Sequence, residues 1–473
     1  MNQQGKIRHT KQQSRPDAPL VMPPQKKASF AKKAASVFWT LAFLVLVLFV
    51  IGAGVLAFMF FKQRATPVVN TNAGQKTQIL GTTTNKNPSD HGVVTGSEAP
   101  ITYSSQQVGA LIRETNANYK GPQPNVTMQV FKYRIQDAKG TTEEIYARVF
   151  MPEGAATNSK LPILSFAPGT TGIDDSCAAS LEVPSKRNWA NYASHMASYA
   201  ANGYVAVITD YEGMRDPKRV HHYMVGDLEG RSVLDAALAM TTLPLTKDKA
   251  DASNVFVAGY SQGGHAALWA DQLANSYTPS ITLRGVIGFG PVTDVRETLT
   301  DTTRGANILW FGPYLLRSYQ DWYGTEHNVA QILQQPYSGN LVNDVAKNCI
   351  DTNIGYWGNR DITKVYTPEF IAAMKTGSLQ TIAPAFDQQL LQNRAATTKT
   401  GRPKLINHGR LDNVVLPTQS DTTAKRLCSL GEVTSLKLYP DATHYNTMIK
   451  SFQDTLNWMR TIISGSSAPS TCS

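Results

Sequence analysis

The chain has 473 residues, 42% of them hydrophobic and 17% charged, which is enough apolar material for a substantial core and too much for a disordered protein. The formal net charge is +10, but eight Lys and Arg against a single Asp crowd into the stretch ending at Lys33. The rest of the chain is close to neutral, which argues against the basic footprint of a nucleic-acid-binding body.

Residues 1–36 are rich in Gln, Lys and Pro and read as a basic, disordered tail. No charged residue lies between Lys33 and Lys62, and Val37 to Phe61 is almost entirely apolar. A helix over 37–61 rises about 37 Å at about 1.5 Å per residue, more than a hydrocarbon core of roughly 30 Å, so the pattern predicts a single transmembrane span. A cleaved signal peptide is the competing reading, but its apolar region runs only about 7–15 residues and ends at a small-residue cleavage site. The basic flank puts the N-terminus in the cytoplasm and exports the body to the periplasm or the extracellular side. Residues 62–100, rich in Thr, Asn, Gly and Ser, read as a flexible linker. Four cysteines, Cys177, Cys349, Cys428 and Cys472, all fall in the exported part, where two disulfides in any of three pairings are open to them.

From 101 to 465 the pattern is that of a globular domain, with a short tail at 466–473. Runs at 126–135 and 144–151 flank the segment DAKGTT and read as a β-hairpin. Short β-rich runs follow at 161–167, 205–209, 254–260, 283–290, 403–409 and 436–440. Helical patterns fit between and after them at 186–201, 229–243, 262–275, 418–429 and 446–463. This alternation predicts an α/β fold with a mostly parallel central sheet covered by helices on both faces. The interval 291–401 is too long for a structureless loop and reads as an inserted helical cap. Its aromatic stretch, Trp310, Phe311, Tyr314, Tyr319, Trp322 and Tyr323, is expected chiefly to form the cap's own core, with a substrate-facing role as the second reading.

Gly259-Tyr260-Ser261-Gln262-Gly263 lies between an apolar strand and a helix-forming run. A serine hydroxyl becomes a useful nucleophile when a tight strand-to-helix turn lifts it clear of the sheet, and small flanking residues make that turn possible. Ser261 is therefore the candidate nucleophile. In such a fold the acid and the histidine follow in that order. Asp412 follows the 403–409 strand and is preferred over Asp421 and Asp441. His444 follows the last strand and is preferred over His408, inside a strand, and His265, on the helix after Ser261. Backbone N–H groups of Gln262 and of the turn at Gly169 and Thr170, Thr170 first, are the candidate oxyanion donors. His221 and His222 lie near Asp216 and Asp227, but adjacent histidines on a strand point opposite ways and no His-x-x-x-His spacing occurs, so they are expected on the surface and no metal site is expected. No dinucleotide or phosphate-binding glycine loop follows a strand, so no cofactor is expected.

With these segments in place, residues 101–465 resemble the secretory lipase family of the α/β-hydrolase fold. The resemblance rests on APGTTGIDDSCAAS at 167–180, Asp210-Tyr211-Glu212-Gly213, EGRSVLDAALA at 229–239, the Ser261 turn and the Asp412 and His444 segments. It implies hydrolysis of acyl esters, triacylglycerols included, under a helical cap, and pairs Cys177 with Cys349 and Cys428 with Cys472. The N-terminal anchor departs from the family pattern, in which most members are released. The reading is thus a membrane-anchored serine hydrolase of lipid-like carboxylic esters. The alternatives are an acyl-amide or peptide hydrolase using the same triad and an inactive anchored binding protein that kept the fold.

Overall fold

A computed structural model describes residues 90–154, 159–183, 189–358 and 361–472. The expected cytoplasmic tail at 1–36, the expected span at 37–61 and the part of the expected linker before residue 90 lie outside the described residues. Among the described residues no helix is long and apolar enough to cross a membrane.

Ten strands form one mixed sheet: β1 (Val94–Ser97), β2 (Ile101–Tyr103), β3 (Val126–Gln136), β4 (Thr142–Pro152), β5 (Leu161–Ala167), β6 (Val205–Thr209), β7 (Ala250–Tyr260), β8 (Leu283–Phe289), β9 (Lys404–Gly409) and β10 (Thr434–Tyr439). Their spatial order is β1-β3-β4-β6-β5-β7-β8-β9-β10, with β2 also on β3. Neighbours from β6 through β10 run parallel, whereas β1 to β4 pair antiparallel and β4 meets β6 antiparallel. The β3–β4 turn closes because Asp137 Oδ1 accepts the N–H groups of Lys139 and Thr141 at 2.8 and 2.7 Å and Gly140 supplies a positive φ of 82°.

The period-2 alternation of the strands sends side chains to two apolar layers. On one face Ile163, Val207, Val257 and Val286 pack under α3 (Gly226–Ala239) and α4 (Gln262–Tyr277). On the other, Leu164, Phe166, Ile208, Phe256 and Ile287 meet α1 (Ser105–Arg113), α2 (Tyr192–Ala201) and the last helix, Thr447–Ile463. That last helix buries Met448, Phe452, Leu456, Met459 and Ile462, spaced three or four apart. Each such side chain contributes roughly 1.5–3 kcal/mol on burial, before the entropy of ordering is charged against it.

Between β8 and β9 the chain leaves the sheet for the 291–401 interval. Its helices run from Val295–Asp301 through Phe311–Tyr323, Tyr337–Ala346 and Ile350–Gly358 to Pro384–Gln392. Cys349 from this interval is bonded to Cys177, and Cys428 is bonded to Cys472.

Two differences from expectation lie at the ends of the domain. Residues 94–97, inside the stretch read as a flexible linker, form β1 and pair with β3. Four residues with an alternating half-exposed pattern are too short a signal to stand out from a Thr- and Gly-rich spacer. The described part of the stretch read as a tail, residues 466–472, instead returns to the sheet. The Thr471 N–H donates to Thr434 O at 2.8 Å, and Cys472 is held by its disulfide.

Candidate active site

Ser261 stands between β7 and α4 with φ 57° and ψ −114°, a conformation that costs a non-glycine residue about 1–3 kcal/mol. The surroundings impose it. Ser261 N–H donates to Phe289 O at 2.9 Å, and Ser261 O accepts from Val292 N–H at 3.2 Å. A Cβ on Gly259 would lie 1.9 Å from Gly263 O, and one on Gly263 would lie 1.9 Å from Ala167 O, so both flanking positions require glycine for close approach.

Asp412 and His444 come from the carboxyl ends of β9 and β10, where ligands of open α/β sheets collect. The two loops are fastened together. Arg410 N–H donates to Tyr439 O and Leu411 N–H to Ala442 O, both at 2.9 Å, and a Cβ on Gly409 would sit 2.3 Å from Ala442 O. This docking sets His444 Nδ1 at 2.7 Å from Asp412 Oδ2, with both residues buried. Asp412 Oδ1 accepts from the N–H groups of Val414 and Val415, each at 2.9 Å. Burial works against ionisation of Asp412, but the charge and hydrogen bond of His444 and the hydrogen bond from His408 outweigh it and hold the carboxyl well below the usual carboxylate range. Ser261 and His444 line one cavity of about 70 Å³ together with Thr170, Tyr192, Trp310 and Ile350. A larger groove of about 720 Å³ beside Lys425, Leu436 and Cys472 contains none of Ser261, Asp412 and His444.

Two of the rival residues have other partners. Asp441 pairs with Lys450 at 2.5 Å on the surface. His265 is bonded to Glu229 Oε2 at 2.8 Å and to Asn393 O at 2.7 Å. His408, set aside as a strand residue, touches the site: its Nε2 lies 2.9 Å from Val415 O and 3.1 Å from Asp412 Oδ2. Val415 O can only accept, and so can Asp412 Oδ2 when ionised, so Nε2 carries the proton and donates.

The oxyanion candidates separate. Gln262 is the first residue of α4, whose leading N–H groups have no carbonyl partner within the helix. Thr170 lines the cavity, with its Oγ1 2.8 Å from Tyr223 Oη. Gly169 does not fit the expected role, because its N–H already donates to Tyr192 Oη at 2.7 Å.

His221 and His222 are also not where they were expected. They are buried, at 1% and 6% exposure. His221 Nδ1 faces Glu212 O at 3.1 Å and its Nε2 accepts from Gln262 Nε2 at 2.9 Å, a neutral arrangement that agrees with burial lowering its pKa. Gln262 Nε2 is also 2.6 Å from Glu229 Oε1, so the residue after Ser261 is gripped from below by two buried polar groups. His222 Nδ1 meets Glu212 Oε2 at 2.6 Å and its Nε2 meets Asp321 Oδ2 at 3.0 Å, tying the 210–224 loop to helix Phe311–Tyr323. Among the described residues no cluster of His, Cys, Asp and Glu has the form of a metal site.

The family profile of the secretory lipases matches residues 193–471, which include Ser261, Asp412 and His444. The chain belongs to the secretory lipase family. It is accordingly a carboxylic ester hydrolase. Lipase 9 of Candida albicans is 24% identical to it over 384 residues, covering 76% of this chain and 80% of that protein. Among solved structures, the rice cell wall degrading esterase LipA from Xanthomonas oryzae superposes with a TM-score of 0.63 at 18% identity, covering 79% of this chain and 97% of that one. Candida antarctica lipase A in its closed state gives 0.59 at 18% identity, covering 81% and 84%. These likenesses establish an α/β-hydrolase fold for this family member.

Sequence reasoning missed His408, Gly290 and the grip on Gln262. A Cβ on Gly290, at φ 50°, would stand 3.2 Å from Asp412 Oδ2 and 3.3 Å from His444 Nδ1. The only local signal was glycine at the end of a strand.

Proposed function

We propose that this secretory lipase family member hydrolyses esters with Ser261 as nucleophile, His444 as general base and then acid, and Asp412 as the group that fixes the histidine. The observation that carries the reading is the buried 2.7 Å contact of His444 Nδ1 with an ionised Asp412, beside a serine on a strained turn in the same cavity. A proton held on Nδ1 leaves Nε2 free to take the Ser261 proton as Oγ attacks the ester carbonyl. The N–H groups of Gln262 and Thr170 receive the charge that develops on the carbonyl oxygen. His444 returns the proton to the departing alkoxide, leaving an acyl-serine and a free alcohol. Water, deprotonated in turn by His444, then releases the acid and restores Ser261. No step needs a cofactor.

In this reading the 291–401 interval is a cap. Trp310 and Ile350, both from it, line the same cavity as Ser261, which supports that role. Ser261→Ala is expected to lower p-nitrophenyl butyrate turnover by roughly 1,000-fold or more and to abolish labelling by a fluorophosphonate probe. Unchanged turnover would sink the assignment.

The reading extends to residues 37–61 as a membrane anchor with the catalytic body exported, supported by the uncharged apolar run, its basic N-terminal flank and the secretory character of the family. Release of the protein from membranes by alkaline carbonate would count against the anchor.

A further inference from the structure

We propose that the site accepts only short acyl groups, acetyl through butyryl, and leaves the larger part of the ester outside. This rests on the reading of Ser261 as nucleophile. The space that touches both Ser261 and His444 is about 70 Å³ and is partly open to solvent. A cavity of about 150 Å³ holds benzene, so this space takes an acyl tail of two or three heavy atoms. Pockets for larger ligands run to roughly 300–1,000 Å³.

What makes the volume meaningful is that four of its walls, at Tyr192, Ile350, Trp310 and Val414, are tied. Tyr192 is fixed through its hydroxyl, which accepts the Gly169 N–H at 2.7 Å. Ile350 N–H donates to Thr171 O at 2.8 Å, and its neighbour Cys349 is bonded to Cys177, so this part of the insertion is stapled to the turn carrying Thr170. Trp310 packs among Tyr223, Phe311 and Tyr314 with ring centroids 6.5, 6.1 and 5.5 Å away, and is only 5% exposed. Val414 donates its N–H to Asp412, so retreat of that wall would undo the acid's own hydrogen bond. Tyr445, which also lines the cavity, is 60% exposed and marks its mouth. At these walls a dodecanoyl chain would have to displace a hydrogen bond, a disulfide-held helix start or a packed indole. An acetyl or butyryl group displaces none of them.

The test is a series of p-nitrophenyl esters, acetate, butyrate, octanoate and dodecanoate, on the full chain in detergent, with Ser261→Ala and Trp310→Ala alongside. Expected is a fall in kcat/KM of about 100-fold or more from butyrate to dodecanoate in the wild type. Trp310→Ala is expected to narrow the butyrate-to-octanoate ratio by about tenfold. Wild-type activity on dodecanoate equal to or above that on butyrate, with Ser261→Ala inactive on both, would overturn the short-acyl proposal and leave the nucleophile standing. Full activity of Ser261→Ala would instead remove the nucleophile, and this proposal with it. The wild-type series decides the question even if Trp310→Ala does not fold.

Discussion

Asp412→Asn keeps the shape of the side chain and removes its charge, and the hydrogen bonds around it determine how the amide must sit. Oδ1 accepts from two backbone N–H groups, Val414 and Val415, while Oδ2 faces His444 Nδ1 and His408 Nε2. Turning the amide nitrogen toward Val414 and Val415 would set donor against donor twice, at about 1–3 kcal/mol for each buried group left unpaired. Turning it toward the histidines strands less, because His408 Nε2–H keeps Val415 O at 2.9 Å. The second orientation wins, and it forces His444 Nδ1 to accept. The His444 proton then moves to Nε2, and the base faces Ser261 already protonated. A wrong tautomer of this kind costs about 10,000-fold in kcat, or about 5 kcal/mol of transition-state stabilisation. The fold should survive, since most contacts of the side chain persist. The assay is kcat on p-nitrophenyl butyrate at pH 7 together with a thermal melt. A variant that melts like the wild type and keeps kcat within tenfold would refute the role given to Asp412.

His222 is held between Glu212 and Asp321, with His221, Arg219 and Glu143 close by. Burial opposes its charge, but the two carboxylates outweigh burial and raise its pKa above the ordinary value. A raised pKa in the folded state gives stability that is fully present below the unfolded value of about 6.5 and is lost as pH rises through the folded one. His222→Gln should therefore destabilise the protein by roughly 1–2 kcal/mol more at pH 5.5 than at pH 9, read as the difference in Tm between the two proteins at each pH. Glu143, pushed up to about 8 by burial and by Glu212, titrates in the same window, so only that difference is diagnostic. A gap that grows with pH would contradict the ion-pair account. The two disulfides close sequence intervals of 172 and 44 residues. In the chain-entropy picture, replacing Cys177 and Cys349 by Ser should cost about 1 kcal/mol more than replacing Cys428 and Cys472, measured by urea unfolding, and the reverse order would refute it.

The parallel strands were the legible part of the fold. Runs such as Leu161–Ala167 and Val205–Thr209 are nearly continuous apolar segments, because a strand covered on both faces has no solvent side to mark with polar residues. The start of β7 at Ala250 was missed because ADAS is polar and enters the sheet beside a register irregularity. Ser261, Asp412 and His444 could be read because each follows a strand, and the ends of parallel strands share one edge of the sheet. What sequence order does not carry is which polar group reaches which donor. Gly169 looked available until Tyr192, 23 residues on, took its N–H. One of the two carboxylates that hold His222, Asp321, is 99 residues away on an inserted helix.

The segment that returns to Thr434 has a consequence for how this protein behaves among copies of itself. β10 is the last strand of the sheet, and an outer strand offers unpaired N–H and C=O groups that invite another chain to add on. Here Thr434 O accepts from Thr471 N–H, Leu436 N–H donates to Thr471 Oγ1 and Ser435 Oγ donates to Pro469 O. The covering segment is then locked to the neighbouring helix Pro417–Ser429 through the Cys428–Cys472 bond. The first half of this margin, Thr434 to Leu436, is thereby occupied from within the molecule, which shortens the template that β10 offers to strand-by-strand growth into an aggregate.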